Sequence, residues 1–227
     1  MIRHVFVTGG TGYLGRALID ALVHRGHRVR ALARRGSESK VPVGAESVTG
    51  NALDANGWAA SVAPADTLVH LVGTPHPTPA KAAEFQAVDL PSIRAAVRAA
   101  VAARVAHVVY VSVAHPAPIM HAYIAVRSEG EALIEREGLN ATILRPWYVL
   151  GEGHRWAYAL VPMYALARRI PAWRDGADRL GLVTHEQMIR ALVDAVETPA
   201  DGIRIVEVPE IRQGQSPRST QHVARST

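Results

Sequence analysis

The sequence predicts an α/β fold built on a doubly wound parallel sheet, and three observations support this fold class. Short apolar segments alternate with amphipathic segments along most of the chain, which is the pattern of successive βαβ units. Several apolar segments are nearly continuous, as in strands that are covered on both faces. A glycine-rich turn separates the first apolar segment from the first amphipathic one. Because such crossovers are right-handed, we expect helices on both faces of the sheet.

The predicted strands are short runs rich in apolar and β-branched residues. The run 67–72 is almost continuous and ends before a proline-rich loop at 74–79. A polar segment with little helical pattern precedes the short run 47–50, so we expect a compact crossover between strands two and three. In chain order the predicted strands are 4–8, 28–33, 47–50, 67–72, 107–113, 141–144 and 203–208.

The predicted helices carry apolar residues at three- and four-residue spacing. In the first helix, Leu14, Leu18 and Leu22 share one face, and Gly26 ends the helix. The alanine-rich segment 80–105 contains Pro91, which marks a helix start or a kink. In chain order the predicted helices are 13–25, 80–105, 123–137, 157–168 and 185–197.

Composition excludes several classes of protein. The chain has no cysteine, which excludes disulfides, thiolate metal sites and redox thiols and favours an intracellular setting. Its histidines lack metal-ligand spacing, so we expect no metal. No run of about 18 apolar residues occurs, and Met1 leads directly into strand-like residues, so we expect a cytoplasmic protein with no membrane partner.

The formal net charge of +5 raises the question of a polyanionic partner. Three of these positive charges lie in the last stretch of the chain, which has no acidic residue and contains Arg212, Arg218 and Arg225. No basic face with interleaved aromatic residues accompanies the remaining charge, so we do not expect nucleic acid to be the partner.

The strongest motif is the turn after the first strand, Thr8-Gly9-Gly10-Thr11-Gly12-Tyr13-Leu14-Gly15. Gly9 permits a tight turn, Gly12 lets the backbone approach a pyrophosphate, and Gly15 lets the helix pack closely on the strand. Free N–H groups and the helix dipole then meet the phosphates. The alternative is a glycine-rich turn without a ligand. The motif predicts a Rossmann-like dinucleotide site with contacts from Gly9, Thr11, Gly12, Tyr13, Leu14 and Gly15.

The residues after the second strand decide between the two nicotinamide dinucleotides. An acidic residue there would bind the ribose 2′-hydroxyl of NAD, but the sequence has Arg34 and Arg35. Both guanidinium groups suit charge-assisted hydrogen bonds to a 2′-phosphate. We therefore expect a preference for NADP(H), with NAD(H) as the alternative cofactor and a solvated basic turn as the alternative interpretation.

The predicted domain organisation follows from this site. At 227 residues, with 48% hydrophobic and 20% charged residues, the chain suits one globular domain. We expect a single cofactor-binding domain over 1–211, with a small carboxy-terminal substrate-side region at about 147–184. The segment 212–227 is expected to be a disordered basic tail.

Four segments carry a family resemblance. Together with the glycine turn, the segments 50–54 (Gly-Asn-Ala-Leu-Asp), 110–112 (Tyr-Val-Ser) and 142–146 (Thr-Ile-Leu-Arg-Pro) resemble an extended or atypical short-chain dehydrogenase/reductase. The chain is most similar to the NmrA-like and complex I accessory-subunit-like members. The resemblance implies that Asn51 and Leu53 lie near the adenine, with Asp54 at the family's second acidic position. Gly73, at the end of strand four, suits close approach of the cofactor ribose.

The same resemblance implies a catalytic tyrosine and a lysine four residues later. Tyr123 matches the tyrosine, but Arg127 stands in place of lysine. One helical turn puts the two on one face, so a fixed positive charge would stabilise the phenolate and hold the nicotinamide-ribose hydroxyls. The alternatives are a Tyr123 that packs over the sheet with a surface hydroxyl, and an Arg127 that is a surface residue or a partner of Glu131.

The position of the family's catalytic serine or threonine is occupied by a residue without a hydroxyl group. This position falls on Val113, whereas Ser112 lies one residue earlier and faces the opposite side of a regular strand. His115 is an alternative donor. His70, inside strand four, is expected to be a hydrogen-bonded core residue. Ser112 is retained as a cofactor-binding candidate.

The residues after strand six are expected to form the substrate side. Pro146 leads into Trp147 and Tyr148 at the sheet edge where ligands bind in such folds. Two functions remain open: an oxidoreductase, or an epimerase or dehydratase, acting on a small carbonyl or hydroxyl compound; and a non-catalytic NADPH-binding sensor or scaffold. We expect a small-molecule ligand and a monomer or homodimer.

Overall fold

The computed structural model describes residues 1–150 and 179–214. In these ranges the strands are β1 (His4–Thr8), β2 (Arg28–Ala33), β3 (Glu46–Thr49), β4 (Thr67–His70), β5 (His107–Val111), β6 (Ala141–Arg145), β7 (Tyr148–Leu150), β8 (Leu182–Thr184) and β9 (Ile203–Glu207). Seven of them form a parallel sheet of order β3-β2-β1-β4-β5-β6-β9, and β7 and β8 form a separate parallel pair. The doubly wound parallel sheet predicted from the sequence is confirmed.

The helices cover both faces of the sheet. In the described ranges they are α1 (Tyr13–His24), α2 (Ala82–Glu84), α3 (Leu90–Ala103), α4 (His121–Arg136), α5 (His185–Glu197) and α6 (Val208–Gln213). Side chains alternate between the faces along each strand. Val7 and Val109 therefore pack with α1 and α5, whereas Phe6 and Tyr110 pack with α3 and α4. A hydrophobic core thus lies on each face of the sheet. Because the strands are parallel, the carboxyl ends of the central strands lie at one edge of the sheet.

Several boundaries differ from the sequence prediction. Strands β4 and β5 end two residues early, and the segment predicted as one helix over 80–105 contains a π-helical turn, Phe85–Asp89, between α2 and α3. Pro91 lies in the first turn of α3. The compact crossover from β2 to β3 is confirmed, with one short 3-10 turn. The predicted helix 157–168 lies outside the described residues.

The predicted disordered tail needs a correction at its start. Residues 212 and 213 belong to α6, which begins directly after β9. A reciprocal capping box between Glu207 and Glu210 starts this helix, and Gly214 ends it in a left-handed conformation. Arg212 donates from Nε to the carbonyl of Leu182 at 2.8 Å, which ties the helix to β8. The tail from 215 onward lies outside the described residues.

Two buried histidines lie in the central strands. His70 is fully buried, with Nδ1 2.8 Å from Thr8 Oγ1 and Nε2 3.3 Å from Ser92 Oγ, so the predicted hydrogen-bonded core histidine is confirmed. Burial, reinforced by the charge of Arg127, lowers the pKa of His70 to about 3. Burial and nearby arginines lower the pKa of His107 to about 4.

These histidines predict acid sensitivity of the fold. Unfolded histidines take up protons near pH 6.5, whereas the buried ones stay neutral, so the unfolded state binds more protons below that pH. We expect the free energy of unfolding to fall from pH 6.5 towards 4, by about 1.4 kcal/mol per pH unit for each histidine. Urea denaturation at several pH values measures this slope. His107→Gln should reduce it, whereas the exposed His24→Gln should not; a flat wild-type profile would contradict the expectation.

Candidate functional site

The glycine turn follows β1 and leads directly into α1. Gly9 has φ +78°, and a Cβ there would lie 2.8 Å from the carbonyl carbon of Leu71. A Cβ on Gly15 would lie 2.2 Å from the carbonyl oxygen of Gly9. The tight turn and the close approach predicted for these two glycines are confirmed, although Gly15 packs against the turn itself. The backbone of the turn is therefore fixed where only glycine fits.

The amino terminus of α1 suits an anionic ligand. Gly12 is its N-cap and supplies no capping side chain, and the first turn contains no acidic residue. The first N–H groups and the positive end of the helix dipole are thus unopposed by a local side-chain anion. The backbone N–H of Gly12 donates to the carbonyl of Gly9 at 3.0 Å, and Thr11 is half-buried beside it. A dinucleotide pyrophosphate fits this cradle.

The residues predicted for the adenosine end lie at the neighbouring strand ends. Strand β2 pairs with β1, and Arg34 and Arg35 follow β2 as exposed residues. Asn51 follows β3; its side-chain oxygen accepts from the backbone N–H of Leu53 at 3.0 Å, and its carbonyl accepts from Trp58 Nε1 at 2.9 Å. All these residues lie along the edge that carries the glycine turn.

A cleft of about 320 Å³ opens at the same edge. It brings together most of the residues predicted for the nicotinamide and substrate side, with the aromatic side chains of Trp147 and Tyr148 among its lining. Its lining residues that the sequence singled out are Tyr13, Leu14, Gly73, Ser112, Val113, Tyr123, Arg127, Pro146, Trp147 and Tyr148.

Tyr123 lies in the first turns of α4 and is half-buried in the cleft wall. Its ring centroid is 4.9 Å from that of Phe85, and the guanidinium carbon of Arg127 is 5.1 Å from the same centroid. The predicted neighbourhood of Tyr123 and Arg127 is confirmed. The cation contacts the ring rather than standing free in solvent.

Arg127 is neither the surface residue nor the partner of Glu131 that were the two alternatives for it. It is 5% exposed, and its Nη2 donates to Asp89 Oδ1 at 2.7 Å instead of pairing with Glu131. Its Nη1 donates to the carbonyl of Val111 at 3.0 Å. Burial would lower the pKa of Arg127, but Tyr123, Tyr110 and Asp89 raise it above the ordinary value. Arg127 is therefore a permanent buried cation.

The Arg127 guanidinium occupies the space that a side chain at position 73 would need, which explains why this residue is a glycine. A Cβ at Gly73 would lie 2.1 Å from Arg127 Nη2 and 3.2 Å from Asp89 Oδ1. Close approach at this position was predicted, and the group that makes it here is the Arg127 guanidinium. The residue also lines the cleft, so a contact with the cofactor ribose stays a prediction.

Ser112 takes part in a second buried polar cluster. Its hydroxyl donates to Glu131 on α4, which also accepts two hydrogen bonds from Arg145. Ser112 and Val113 are both 3% exposed, both line the cleft and both follow the end of β5, so opposite orientations on a regular strand stay a prediction. His115 Nε2 lies 3.8 Å from Glu131 Oε1, and His115 is not among the cleft-lining residues.

Of two acidic residues in this region, Asp89 was missed by the sequence analysis and Glu131 was considered only as a partner of Arg127. Asp89 is 2% exposed and binds both Arg127 and Thr74, and Glu131 joins β5 to β6 through Ser112 and Arg145. Burial would lower the pKa of Arg145, but the bonds to Glu131 raise it. The signal that could have identified Asp89 is an acidic residue in the mostly apolar segment 85–90.

The described part of the chain comprises residues 1–150 and 179–214. No group of three or more histidine or acidic side chains there is arranged to hold a metal ion. No helix in these ranges is long and apolar enough to cross a bilayer.

The parallel sheet, the glycine turn and the cleft define a Rossmann-like α/β protein with a candidate dinucleotide site. Residues 9–162 match the model of a family described as NAD(P)H-binding, and the chain belongs to that family. A short-chain dehydrogenase/reductase superfamily protein from Agrobacterium tumefaciens, solved with bound NAD, has the same fold. It superposes with a TM-score of 0.65 over 90% of this chain and 77% of that chain, at 20% sequence identity.

Two curated relatives are similar in sequence. A ceramide reductase of Caulobacter vibrioides is 29% identical over 92% of this chain and 65% of its own length. A 4-hydroxy-2-methyl-3-oxo-4-farnesyl-3,4-dihydroquinoline-1-oxide ketoreductase of Stigmatella aurantiaca is 30% identical over 79% of this chain and 60% of its own length. The chain therefore spans less than two thirds of the length of either relative.

Proposed function

We propose that the protein is an NADP(H)-dependent oxidoreductase that reduces the carbonyl group of a small, largely apolar molecule. The observation that carries this proposal is a single cleft that joins the start of α1, through Tyr13 and Leu14, to Tyr123 on α4. A phenol hydroxyl is thus placed in the same cavity as the predicted cofactor site. Epimerase or dehydratase chemistry would use the same groups.

The proposed roles follow from the chemistry of each group. Carbonyl reduction needs a hydride at carbon, which the reduced nicotinamide supplies when bound, and a proton at oxygen. Tyr123 donates that proton to the carbonyl oxygen, which yields the alcohol and leaves a phenolate. Arg127 lies against the ring and stabilises the negative charge. The glycine turn holds the pyrophosphate.

The cleft lining favours an apolar substrate. Leu71, Val149 and Pro77 line it together with Trp147 and Tyr148. Among the described lining residues the permanent charge is that of Arg127, which Asp89 already pairs. The two curated relatives are named for a reductase of ceramide and a ketoreductase of a farnesylated quinoline, which supports a carbonyl on an apolar body. Steady-state NADPH oxidation with a panel of alkyl and prenylated ketones tests this proposal, and polar sugar-nucleotide substrates serve as the comparison.

The preference for NADP(H) predicts a selective loss of affinity. We expect the double change Arg34→Ala and Arg35→Ala to weaken NADPH binding about 10- to 100-fold, because each exposed guanidinium would lose a charge-assisted bond to the 2′-phosphate. NADH binding should stay within about twofold. Fluorescence titration with both cofactors measures this. Arg28→Ala is the matched control, since this exposed arginine begins β2 at the opposite edge of the sheet. A wild-type protein that binds NADH as well as NADPH would refute the preference.

A non-catalytic NADPH-binding sensor or scaffold is the second candidate. It is favoured by the replacement of the family's catalytic hydroxyl residue by Val113 and by the engagement of Arg127 with Asp89. Cofactor binding without any carbonyl reduction would support this candidate. We further propose a cytoplasmic monomer or homodimer.

A further inference from the structure

The π-helical turn Phe85–Asp89 contacts both members of the proposed catalytic pair. It lies between α2 and α3, on the side of the sheet that α4 covers. A π-helical turn is less favourable than a regular α-turn, and such turns recur near functional sites, where they redirect side chains. In this protein the first and last residues of the turn point to one tyrosine–arginine pair.

Phe85 supports one side of the Tyr123 ring. The side chain of Phe85 is fully buried in the core formed by α3 and α4, and the two ring planes meet at 51° with centroids 4.9 Å apart. An aromatic pair at this distance and tilt is favourable and restricts the ring. Phe85 therefore limits the directions in which the Tyr123 hydroxyl points.

Asp89 fixes the guanidinium of Arg127, which is the second group in contact with the Tyr123 ring. Asp89 Oδ1 accepts from Arg127 Nη2 at 2.7 Å, and Asp89 Oδ2 accepts from the backbone N–H and the hydroxyl of Thr74 at 3.0 and 2.6 Å. The carboxylate is thus held by Thr74 as well as by the guanidinium. The same guanidinium lies 5.1 Å from the Tyr123 ring centroid and 5.9 Å from that of Tyr110.

We propose that Phe85 and Asp89 are positioning residues for Tyr123. Phe85 holds the ring by packing, and Asp89 holds Arg127 against the ring and offsets part of its positive charge. This inference rests on the proposed function, since it assigns the turn a role in the same reaction. Other charged and titratable groups near the pair are Tyr110 on β5, Glu131 on α4, which Arg145 neutralises, and the cleft-lining His76, Tyr13 and Tyr148.

Two substitutions separate the packing role from the electrostatic role. Phe85→Leu should lower kcat about tenfold, with KM and the NADPH dissociation constant little changed, because a loosened ring misplaces the proton donor. It changes no charge, so the pH midpoint of kcat should not move. Asp89→Asn should lower kcat similarly and move the pH midpoint down by about one unit, because the Arg127 charge is no longer offset.

Glu129→Gln is the matched control for the charge change. Glu129 lies on α4, the helix that carries Tyr123 and Arg127, and it pairs with Arg94 of α3. Both of these side chains are about half exposed. This variant should keep kcat, KM and the pH midpoint of the wild type. The positioning role would be overturned by a folded Asp89→Asn variant, with wild-type NADPH binding, whose kcat and pH midpoint equal those of the wild type.

An NMR measurement that needs no turnover distinguishes failure of the positioning role from failure of the proposed function. Phe85→Leu removes a ring next to Tyr123, so the ring-proton resonances of Tyr123 should shift in NMR spectra, whereas Glu129→Gln should leave them in place. If no carbonyl substrate is reduced by any form, the proposed function fails while these spectra still test the contact. If Asp89→Asn does not fold, Phe85→Leu decides: a wild-type kcat together with unshifted Tyr123 resonances overturns the inference.

Discussion

Replacing Tyr123 with phenylalanine is expected to lower kcat about 100- to 10,000-fold, which is the range for loss of a general acid. The change removes one hydroxyl and leaves the ring between Phe85 and Arg127. The dissociation constant for NADPH should therefore remain within about twofold of the wild-type value, since the substitution keeps the ring contacts and removes no charge. Single-turnover reduction of a carbonyl substrate and cofactor titration measure the two effects separately.

Tyr110→Phe is the matched control for this experiment. The Tyr110 hydroxyl is buried beside the same arginine, 3.4 Å from the Arg127 carbonyl, but it does not line the cleft. Burial raises the pKa of Tyr110 to about 12, so its hydroxyl is a poor proton donor at neutral pH. Turnover by this variant should stay within about threefold of wild type. Full activity of Tyr123→Phe would remove Tyr123 from the mechanism.

The parts of the site that the sequence predicted are those set by local backbone geometry. Gly9 needs a positive φ and Gly15 needs room for a carbonyl oxygen, and both needs follow from a strand, turn and helix that are adjacent in the chain. The spacing of Tyr123 and Arg127 likewise follows from one turn of α4. Sequence periodicity was sufficient for these features.

The partners of the charged residues depend on tertiary packing. The helical spacing of Arg127 and Glu131 offered a pair along α4 as one alternative, but Arg127 reaches Asp89, which is 38 positions away in the chain, and Glu131 reaches Arg145 on β6. The contact with Asp89 follows from the packing of α4 against α3, which begins directly after Asp89. Spacing along the sequence identifies candidate partners, whereas tertiary packing determines which of them form a pair.

Helix α6 was missed although the sequence contains the start and stop signals of a short helix. Glu207, Pro209, Glu210 and Gly214 form a start and stop pattern for a short helix, yet three nearby arginines and the polar residues beyond favoured disorder. Packing of Val208 and Ile211, both fully buried, stabilises the helix. Six residues alone would not form a stable helix, so the tertiary contact decides the outcome.

The second large effect is expected at Gly15. Gly15→Ala places a Cβ 2.2 Å from the Gly9 carbonyl oxygen, and this neighbour is backbone rather than a movable side chain. The turn must shift to relieve the overlap, which should lower the free energy of unfolding by about 1–3 kcal/mol, as overpacking does. The shift also moves the first N–H groups of α1 away from the pyrophosphate position, so NADPH affinity should fall at least about 100-fold.

Gly57→Ala provides the matched control for this prediction. A Cβ on Gly57 would meet no heavy atom within 4 Å, and the residue lies in a short 3-10 turn remote in sequence from the glycine motif. Its NADPH affinity and urea midpoint should stay close to wild type. The two measurements on Gly15→Ala also separate stability from binding: a folded variant with wild-type NADPH affinity would show that the dinucleotide does not depend on this turn. Loss of affinity in a folded variant would instead tie cofactor binding to the path of the backbone between β1 and α1, because the substitution adds one methyl group and no charge.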